Sequence, residues 1–359
     1  KGALFFALGG PNFDGNRFAA EALKKGAQHV VIDDPKTLPN HPKVLLVENT
    51  LTALQQLATY HRKKLNTPII ALTGSNGKTT TKELIREVLQ KKFKVLATFG
   101  NLNNHIGVPL TLLQLTEQHQ IGIIEMGANQ LNEIRNLCEI ALPNWGYITN
   151  FGKAHLEGFG SEAGVIQGKS ELYKHLQQHQ GQILINGDDP KQLEQTKNHR
   201  VVQFGQGKGS DFKIEYLPSD GNHLELKFRE FFFKSPLYGS YNLSNLAAAV
   251  SFGALFEVPL KDIQEAIAKY DSENNRSQKI SIQGTQIILD AYNANPSSME
   301  VALRAFAKNQ TENNAVILGD MLELGKQSEK EHQEMLSLCL TLGFPQIYTL
   351  GKRFKKATV

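Results

Sequence analysis

Cysteine is nearly absent: the 359 residues contain two, Cys138 and Cys339, far apart and each in an apolar helical context. Two such thiols make neither a disulfide framework nor a zinc-ligand spacing, and they fit a reducing cytosol. Long hydrophobic runs are missing as well. No apolar stretch approaches the roughly 20 residues that a membrane helix needs, and no signal-peptide pattern opens the chain, so membrane insertion is not expected and a cytoplasmic location is. Charge of one sign is not in excess. A net charge of +4, with no basic stripe interleaved with aromatics, argues against nucleic acid as a partner. No internal repeat or low-complexity tract occurs, which leaves ordinary globular domains, two or three at this length.

What is present is alternation. Residues 1–65 read as a small mixed segment: strand ALFFAL, helix 16–26, strands HVVID and KVLLVE, helix 50–64. Asn66-Thr67-Pro68 breaks the pattern, and Pro68 marks a boundary. From residue 69 the chain runs IIALT, helix 78–91, KVLAT, helix 105–115, IGIIEM, helix 130–139, WGYITN, helix 162–177, QILIN. Such alternation implies an α/β fold with a parallel sheet and helices on both faces. Between 200 and 240, DFKIEYL, HLELKF and the segment near PLYG read as short antiparallel strands. Helices 242–256 and 260–269 follow, and polar SENNRSQ reads as a linker. IILDAY, helix 297–308, AVILGD, helix 328–342 and IYTLG restart an α/β pattern. Three domains are expected, 1–66, 67–273 and 274–359. The chain starts at Lys1 on the edge of a strand and ends at KRFKKATV one strand after a helix, so the first and third are expected to be truncated.

The stretch PIIALTGSNGKTTTKELI (68–85) is an apolar strand, a glycine-bearing turn and a helix start. Gly74 and Gly77 let backbone N–H groups converge on one anion, and the helix N-terminus adds partial positive charge. Lys78 reaches β and γ phosphates, and Thr79 supplies a hydroxyl to Mg²⁺. The longer form of this motif has Gly five residues before Gly77; Leu72 stands there, so the turn is a compact variant. The residues expected against ATP are Gly74, Ser75, Asn76, Gly77, Lys78, Thr79 and Thr80. A kinase, an ATPase motor and a ligase would all use such a turn.

Four further features fall at or just beyond strand ends of the same sheet, where open α/β sheets bind ligands. In TFGNLNNHIGVP (98–109), Asn101, Asn103 and Asn104 offer hydrogen bonds to a substrate, although Asn is also a good helix cap. In IIEMGA (123–128), Glu125 ends an apolar strand, where a carboxylate is costly unless paired or metal-bound, and its oxygens suit Mg²⁺. In NFGKAHLEGFGS (150–161), His155 sits in a glycine-rich loop. In GVIQGKSELY (164–173), Lys169 lies on the following helix.

In this order and spacing, these stretches resemble the Mur ligases, ATP-dependent amide-bond enzymes of peptidoglycan synthesis. GSYNLSNLAAAV, NNRSQKI, LDAYNANPSSM and ILGDMLELG extend the resemblance along essentially the whole chain. The last two stretches, with FFALGGPNFDGNRFA near the start, look like the type that adds D-alanyl-D-alanine. The resemblance implies a three-domain Mur ligase architecture: a first domain for UDP, a central phosphate-loop domain for ATP, and a truncated Rossmann-like third domain for the incoming dipeptide. It implies ATP and Mg²⁺, up to two ions, as cofactors. Its implied substrates are UDP-N-acetylmuramoyl tripeptide and D-alanyl-D-alanine, and a monomer is expected.

The resemblance assigns roles residue by residue. Lys78, His155, Lys169 and Arg276 are the catalytic set. Thr79, Glu125, His155 and a carbamylated Lys169 hold metal; a carbamate is an oxygen ligand, whereas an ammonium repels Mg²⁺. Asn242 and Asn245 lie near the adenine, with helix capping as the plainer use of Asn242. Arg276 reaches the γ phosphate in the manner of an arginine finger, and Asp290 lies near the ribose and that arginine. Tyr292, Asn293 and Asn295 line the region where the third domain meets the site, and Asn16 belongs to the UDP domain, where relatives often carry His. Asp320 and Glu323 lie in the third domain without an assigned role. The nearest rivals are a sister amide ligase, such as a folylpolyglutamate synthase or the ligase adding the third peptide residue, and a non-catalytic ATP-binding protein. DAYNANPSSM and GDMLELG argue against the sisters. The joint presence of Glu125, His155, Lys169 and Arg276 argues against a mere binder.

Overall fold

The computed structural model describes residues 2–38, 40–218, 223–309 and 311–357; Lys1 and Thr358–Val359, at the two chain ends noted above, lie outside them. Strand Ile69–Thr73 is the third from one edge of a nine-stranded sheet. On one side lie Ile121–Glu125 and then Val95–Ala97. On the other lie, in order, Trp145–Ile148, Gln182–Asn186, Val202–Gly205, Phe212–Tyr216, Leu224–Phe228 and Phe231–Ser235. The sheet is parallel up to Phe212–Tyr216, and the last two strands add on antiparallel. The chain first builds outward to one edge and then crosses back, so strand order reverses beside Ile69–Thr73, and the crevice at that switch point is where such sheets take ligands.

Period-two alternation divides the core. Ile69 and Ala71 face one side, packed with Val108, Ile124, Leu137, Ile148 and Leu172. Ile70 and Leu72 face the other, packed with Leu84, Ile85, Val88 and Tyr147. Both faces are covered, which is why the central strands read as unbroken apolar runs. Helix Leu243–Leu255 is apolar all round and buried from Asn245 to Gly253, as expected of a helix sandwiched in a core.

Helix Thr50–Leu65 belongs to the first segment in sequence but docks on the central unit. Arg62, 4% exposed, donates from Nε to the Ala141 carbonyl at 3.2 Å and from Nη2 to that of Leu142 at 3.2 Å and to Asn144 Oδ1 at 2.9 Å. These carbonyls end helix Glu133–Ala141, where a cation is favoured. The rest of the first segment is a three-stranded parallel sheet, Leu4–Phe6, His29–Ile32 and Val44–Leu46.

Two expectations are corrected. The helix expected at 162–177 is two helices, Glu162–Lys169 and Glu171–Gln178, broken at Ser170. The break turns the Glu171 carboxylate to accept from the N–H groups of Asn132 (2.7 Å) and Arg135 (2.9 Å), at the start of helix Glu133–Ala141. The short antiparallel strand expected near PLYG is Phe231–Ser235; it stops at Pro236, which has no N–H to extend the ladder. The segment after the linker opens with a strand that periodicity missed, Gln278–Ile282, paired antiparallel with Thr285–Leu289. Gln283 and Gly284 between them have φ +50° and +83°, as a tight hairpin turn requires. Strands Ala315–Gly319 and Gln346–Leu350 pair in parallel in a separate sheet.

Candidate active site

The phosphate turn is fixed by two close approaches. Gly74 has φ +145°, and a Cβ there would lie 1.9 Å from Thr149 Oγ1; Gly77 has φ +78°, and its Cβ would lie 2.7 Å from Asn245 Oδ1. Neither position admits a side chain. The turn is then tied to the neighbouring strand end. Ser75 N donates to the Asn150 carbonyl at 3.1 Å and Asn76 N to Asn150 Oδ1 at 3.1 Å. Thr149 Oγ1 and Asn150 Nδ2 donate back to the Asn76 carbonyl, and Ser75 Oγ donates to the Gly152 carbonyl at 2.8 Å. Lys78 arches over the turn and donates to the Gly74 and Ser75 carbonyls at 2.8 and 3.2 Å. Burial lowers its pKa; Glu125 opposes this and Arg276 reinforces it. Such an amine rests on groups it can leave for a phosphate.

Glu125 is 1% exposed. Asn103 Nδ2 donates to its Oε1 at 2.8 Å, while its Oε2 is buried without a hydrogen bond. Facing Oε2 at 4.0 Å is Lys82, fully buried one helical turn beyond Lys78 and held by Glu83 at 2.8 Å and the Thr98 carbonyl at 2.5 Å. Among the described residues no cluster of three or more His, Cys, Asp or Glu is gathered for a metal. Mg²⁺ does not require one, because it retains waters and takes one or two carboxylates together with substrate phosphates. A buried carboxylate oxygen that accepts no hydrogen bond, beside a phosphate turn and 4.0 Å from the Lys82 amine, fits that demand.

His155 has φ +53°, and its Nδ1 contacts the Glu323 carboxylate of the third domain. Burial lowers the pKa of its ring; Glu323 opposes this, while Lys169 and Lys78 add to it. Lys169 is 0% exposed. Its amine has a 3.3 Å bond to the Ala128 carbonyl and lies 5.3 Å from the Phe159 ring centroid. Burial, reinforced by the charge of Lys78, holds it well below the usual lysine range.

On the opposite wall Asn245 Nδ2 donates to Asn242 Oδ1 at 2.8 Å, and Asn242 Nδ2 to the Tyr238 carbonyl at 2.9 Å. Asn242 makes no side-chain cap. Tyr241 and Ser277 hydroxyls meet at 2.7 Å. The Arg276 guanidinium stacks 3.9 Å from the Tyr292 ring centroid, and its Nε is buried without an acceptor. Asp290, in the same cleft, has its carboxyl pKa raised by desolvation, offset by the Ser277 N–H and Arg276.

One cavity of about 900 Å³ gathers most of these residues: Ser75 to Lys78, Thr80, Glu125, His155, Asn242, Asn245, Arg276, Asp290, Tyr292, Asn293 and Asn295, with Asn101, Asn103 and Asn104 at one end. Gly74, Thr79 and Lys169 are not among the residues that line it. Two asparagines serve the fold: Asn104 Oδ1 accepts from the N–H groups of Ile106 and Gly107 at a helix entry, and Asn293 Oδ1 accepts from Ala294 N. Asn16 lies outside the cavity, 8% exposed, bonded to Asp14 and Asp33 within the first segment. Asp320 accepts from Arg353 N and Phe354 N and so holds the short turn Phe354–Lys356. Sequence reasoning missed Lys82, Asn150, Ser277 and Ser297. Only Lys82 carried a signal, its position four residues after Lys78 on one helix face.

The family model for the Mur ligase middle domain matches residues 72–253, and that for the Mur ligase glutamate ligase domain matches 275–358. A curated relative from Bacillus subtilis (strain 168), UDP-N-acetylmuramoyl-tripeptide--D-alanyl-D-alanine ligase, is 36% identical over 97% of this chain and 77% of its own length. A protein of the same name from Haemophilus influenzae is 37% identical over 93% of this chain and 74% of its own. Among solved structures, MurF from Acinetobacter baumannii superposes with a TM-score of 0.89 at 33% identity, covering 98% of this chain and 78% of that one. MurF from Thermotoga maritima in complex with ADP gives 0.86 at 28% identity, covering 99% and 83%.

Proposed function

The chain belongs to the Mur ligase family, and from that premise we infer that it is the ATP-dependent ligase joining D-alanyl-D-alanine to UDP-N-acetylmuramoyl tripeptide in peptidoglycan precursor synthesis. The carrying observation is that 36–37% identity over nearly the whole of this chain to ligases of that name coincides with one cavity faced by the phosphate turn, Glu125 and the third-domain pair Arg276 and Asp290.

The terminal carboxylate of the tripeptide attacks the γ phosphorus of ATP, ADP leaves, and an acyl phosphate forms. The amine of the dipeptide attacks the acyl carbonyl, loses a proton, and phosphate departs with its electron pair as the amide forms. Negative charge gathers on oxygen in both steps, so positioned cations matter more than an enzyme nucleophile. Lys78 exchanges its two carbonyl acceptors for phosphate oxygens. Arg276, stacked on Tyr292 and with a free Nε, presents its guanidinium to the γ phosphate. Thr79 and Glu125 would hold Mg²⁺, which supplies charge neutralisation between the phosphates when bound. Lys169 is suited to carbamylation: a buried amine of lowered basicity is neutral and nucleophilic, and a carbamate there would turn repulsion of Lys78 into attraction. A monomeric state and a cytoplasmic setting complete the reading. Among the described residues no helix is long and apolar enough to cross a membrane.

The test is phosphate release by the full-length protein with Mg²⁺, ATP and UDP-N-acetylmuramoyl tripeptide, varying the amine. Release that requires D-alanyl-D-alanine is expected. Release driven by lysine, diaminopimelate or glutamate would move the enzyme to a sister reaction, and no release with any amine would overturn the ligase assignment.

A further inference from the structure

We propose that Asn295 is a positioning residue that latches the third domain onto the phosphate turn, so that seating the nucleotide phosphates and closing the third domain become one event. The proposal rests on the nucleotide site described above.

Asn295 opens helix Pro296–Ala307. Its Oδ1 accepts from Ser298 N at 2.9 Å, and its own N–H donates to Ser298 Oγ at 3.2 Å. This reciprocal cap locks the side chain. Ser, Thr, Asp and Asn all cap a helix well, so the cap does not explain the choice of residue. Asn alone among them keeps N–H donors beyond the capping oxygen, and here Nδ2 donates to Asn76 Oδ1 at 2.7 Å across 219 positions of sequence. Asn76 sits in the middle of the phosphate turn. Its backbone N–H and carbonyl are already committed to Asn150 and Thr149, which leaves its side chain for the third domain. The seam is tight at this point: a Cβ on Gly152 would lie 3.0 Å from Ser297 Oγ and 3.2 Å from Asn76 Nδ2, and Lys153 N donates to Ser297 Oγ at 2.7 Å.

The other polar contacts across the seam stand elsewhere: His155 with Glu323 and Lys153 with Glu331 at 3.1 Å on the 150–160 loop, and Tyr241 and Asn242 with Ser277 at 2.7 and 3.3 Å at the start of helix Leu243–Leu255. Among the described residues, the Asn295–Asn76 bond is the one that reaches the turn itself. The Asn76 backbone is already held by Asn150 and Thr149; a phosphate drawn into the turn restricts what remains, its side chain, and a restricted Asn76 amide is the acceptor that Asn295 needs. Two ligand-dependent arrangements joined by one neutral hydrogen bond should be coupled by about fivefold.

The test uses the full-length protein with ADP as the probe. Asn295→Ser keeps a capping oxygen but cannot reach Asn76; Asn76→Ala removes the acceptor. Small-angle scattering should show the wild type contracting when ADP binds. Each single variant should bind ADP about fivefold more weakly and contract less, and the double variant should be no worse than either single one. Thermal melts check that the helix cap survives in Asn295→Ser; if that variant does not fold, Asn76→Ala carries the scattering measurement alone. The proposal is overturned if the single effects multiply in the double variant, if contraction is undiminished, or if the wild type does not contract. None of these readouts involves the acceptor amine, so failure of the latch and failure of the ligase assignment are distinguishable.

Discussion

The phosphate turn at 74–78 and the loop at 150–160 leave the same edge of the same sheet from adjacent strands, yet they are held in opposite ways. The turn is shaped from within by two glycines that tolerate no side chain and by bonds to the next strand end. The loop is shaped from without. Its Lys153 is fixed by Ser297 and Glu331, 144 and 178 positions away, and its His155 by Glu323. A turn that defines itself is ready before any ligand arrives. A loop that borrows its shape from another domain keeps it only while that domain is docked. The difference suits a reaction in which the nucleotide binds first and the acceptor is delivered by closure.

The sharpest way to break the comparison is Lys78→Ala. Because the amine's hydrogen bonds go to two carbonyls and not to an acid, its loss should leave the fold intact while phosphate release falls by about a hundredfold or more; release and thermal melts are measured together. Next comes Gly74→Ala. Its Cβ would collide with Thr149 Oγ1, so strain and overpacking should cost roughly 3 kcal/mol in denaturant titrations. Gly284→Ala is the control, with φ +83° but nothing within 4 Å, and should cost about 1 kcal/mol. Equal costs would mean that the turn is not packed against the 149–152 segment.

Lys169→Met comes third. If Lys169 bears a carbamate, activity should drop by about 10- to 100-fold, and mass spectrometry of the intact wild type in bicarbonate should show the adduct. The pH sign is fixed by burial. The native amine has a lowered pKa, so the unfolded chain binds more protons between that lowered value and the ordinary lysine value, and stability rises with pH across this window. Lys169→Met should flatten that rise.

The same contrast explains what could be read from the amino acids. The turn was legible because its requirements lie within a few residues: strand, Gly74, Gly77, Lys78 and a helix start. Glu125, His155 and Arg276 were legible by resemblance, and each lines the cavity. The break at Ser170 was not, because Glu171 answers two N–H groups of another helix. Lys82 was not, because a lysine on a helix reads as solvated until an acidic partner from another strand closes over it. Asn16 and Asn104 make fold contacts that the sequence did not show, because an asparagine that caps or bridges is indistinguishable in sequence from one that waits for substrate. Local chemistry survives in a string of letters, whereas the choice of a distant partner does not.

The smallest expected effect lies in the borrowed loop. Glu323→Gln removes the charge facing His155 without changing shape. Burial already lowers the pKa of the His155 ring, and Glu323 is the group that opposes this, so the midpoint should move further down; an NMR titration of the ring reads it. The linkage follows. A histidine whose folded pKa lies below its unfolded value costs no stability above the unfolded value, near 6.5, and costs progressively more as pH falls toward the folded value. The variant extends that loss to lower pH, so acid melts should coincide with wild type down to the wild type's own lowered folded-state midpoint and separate only as pH falls through it, once the lost contact is allowed for. Glu323 is half exposed, which limits the difference to less than about 1 kcal/mol. A midpoint that stays put or rises would mean that Glu323 does not face the ring in solution, and that the 150–160 loop holds its shape without the third domain, as the phosphate turn does.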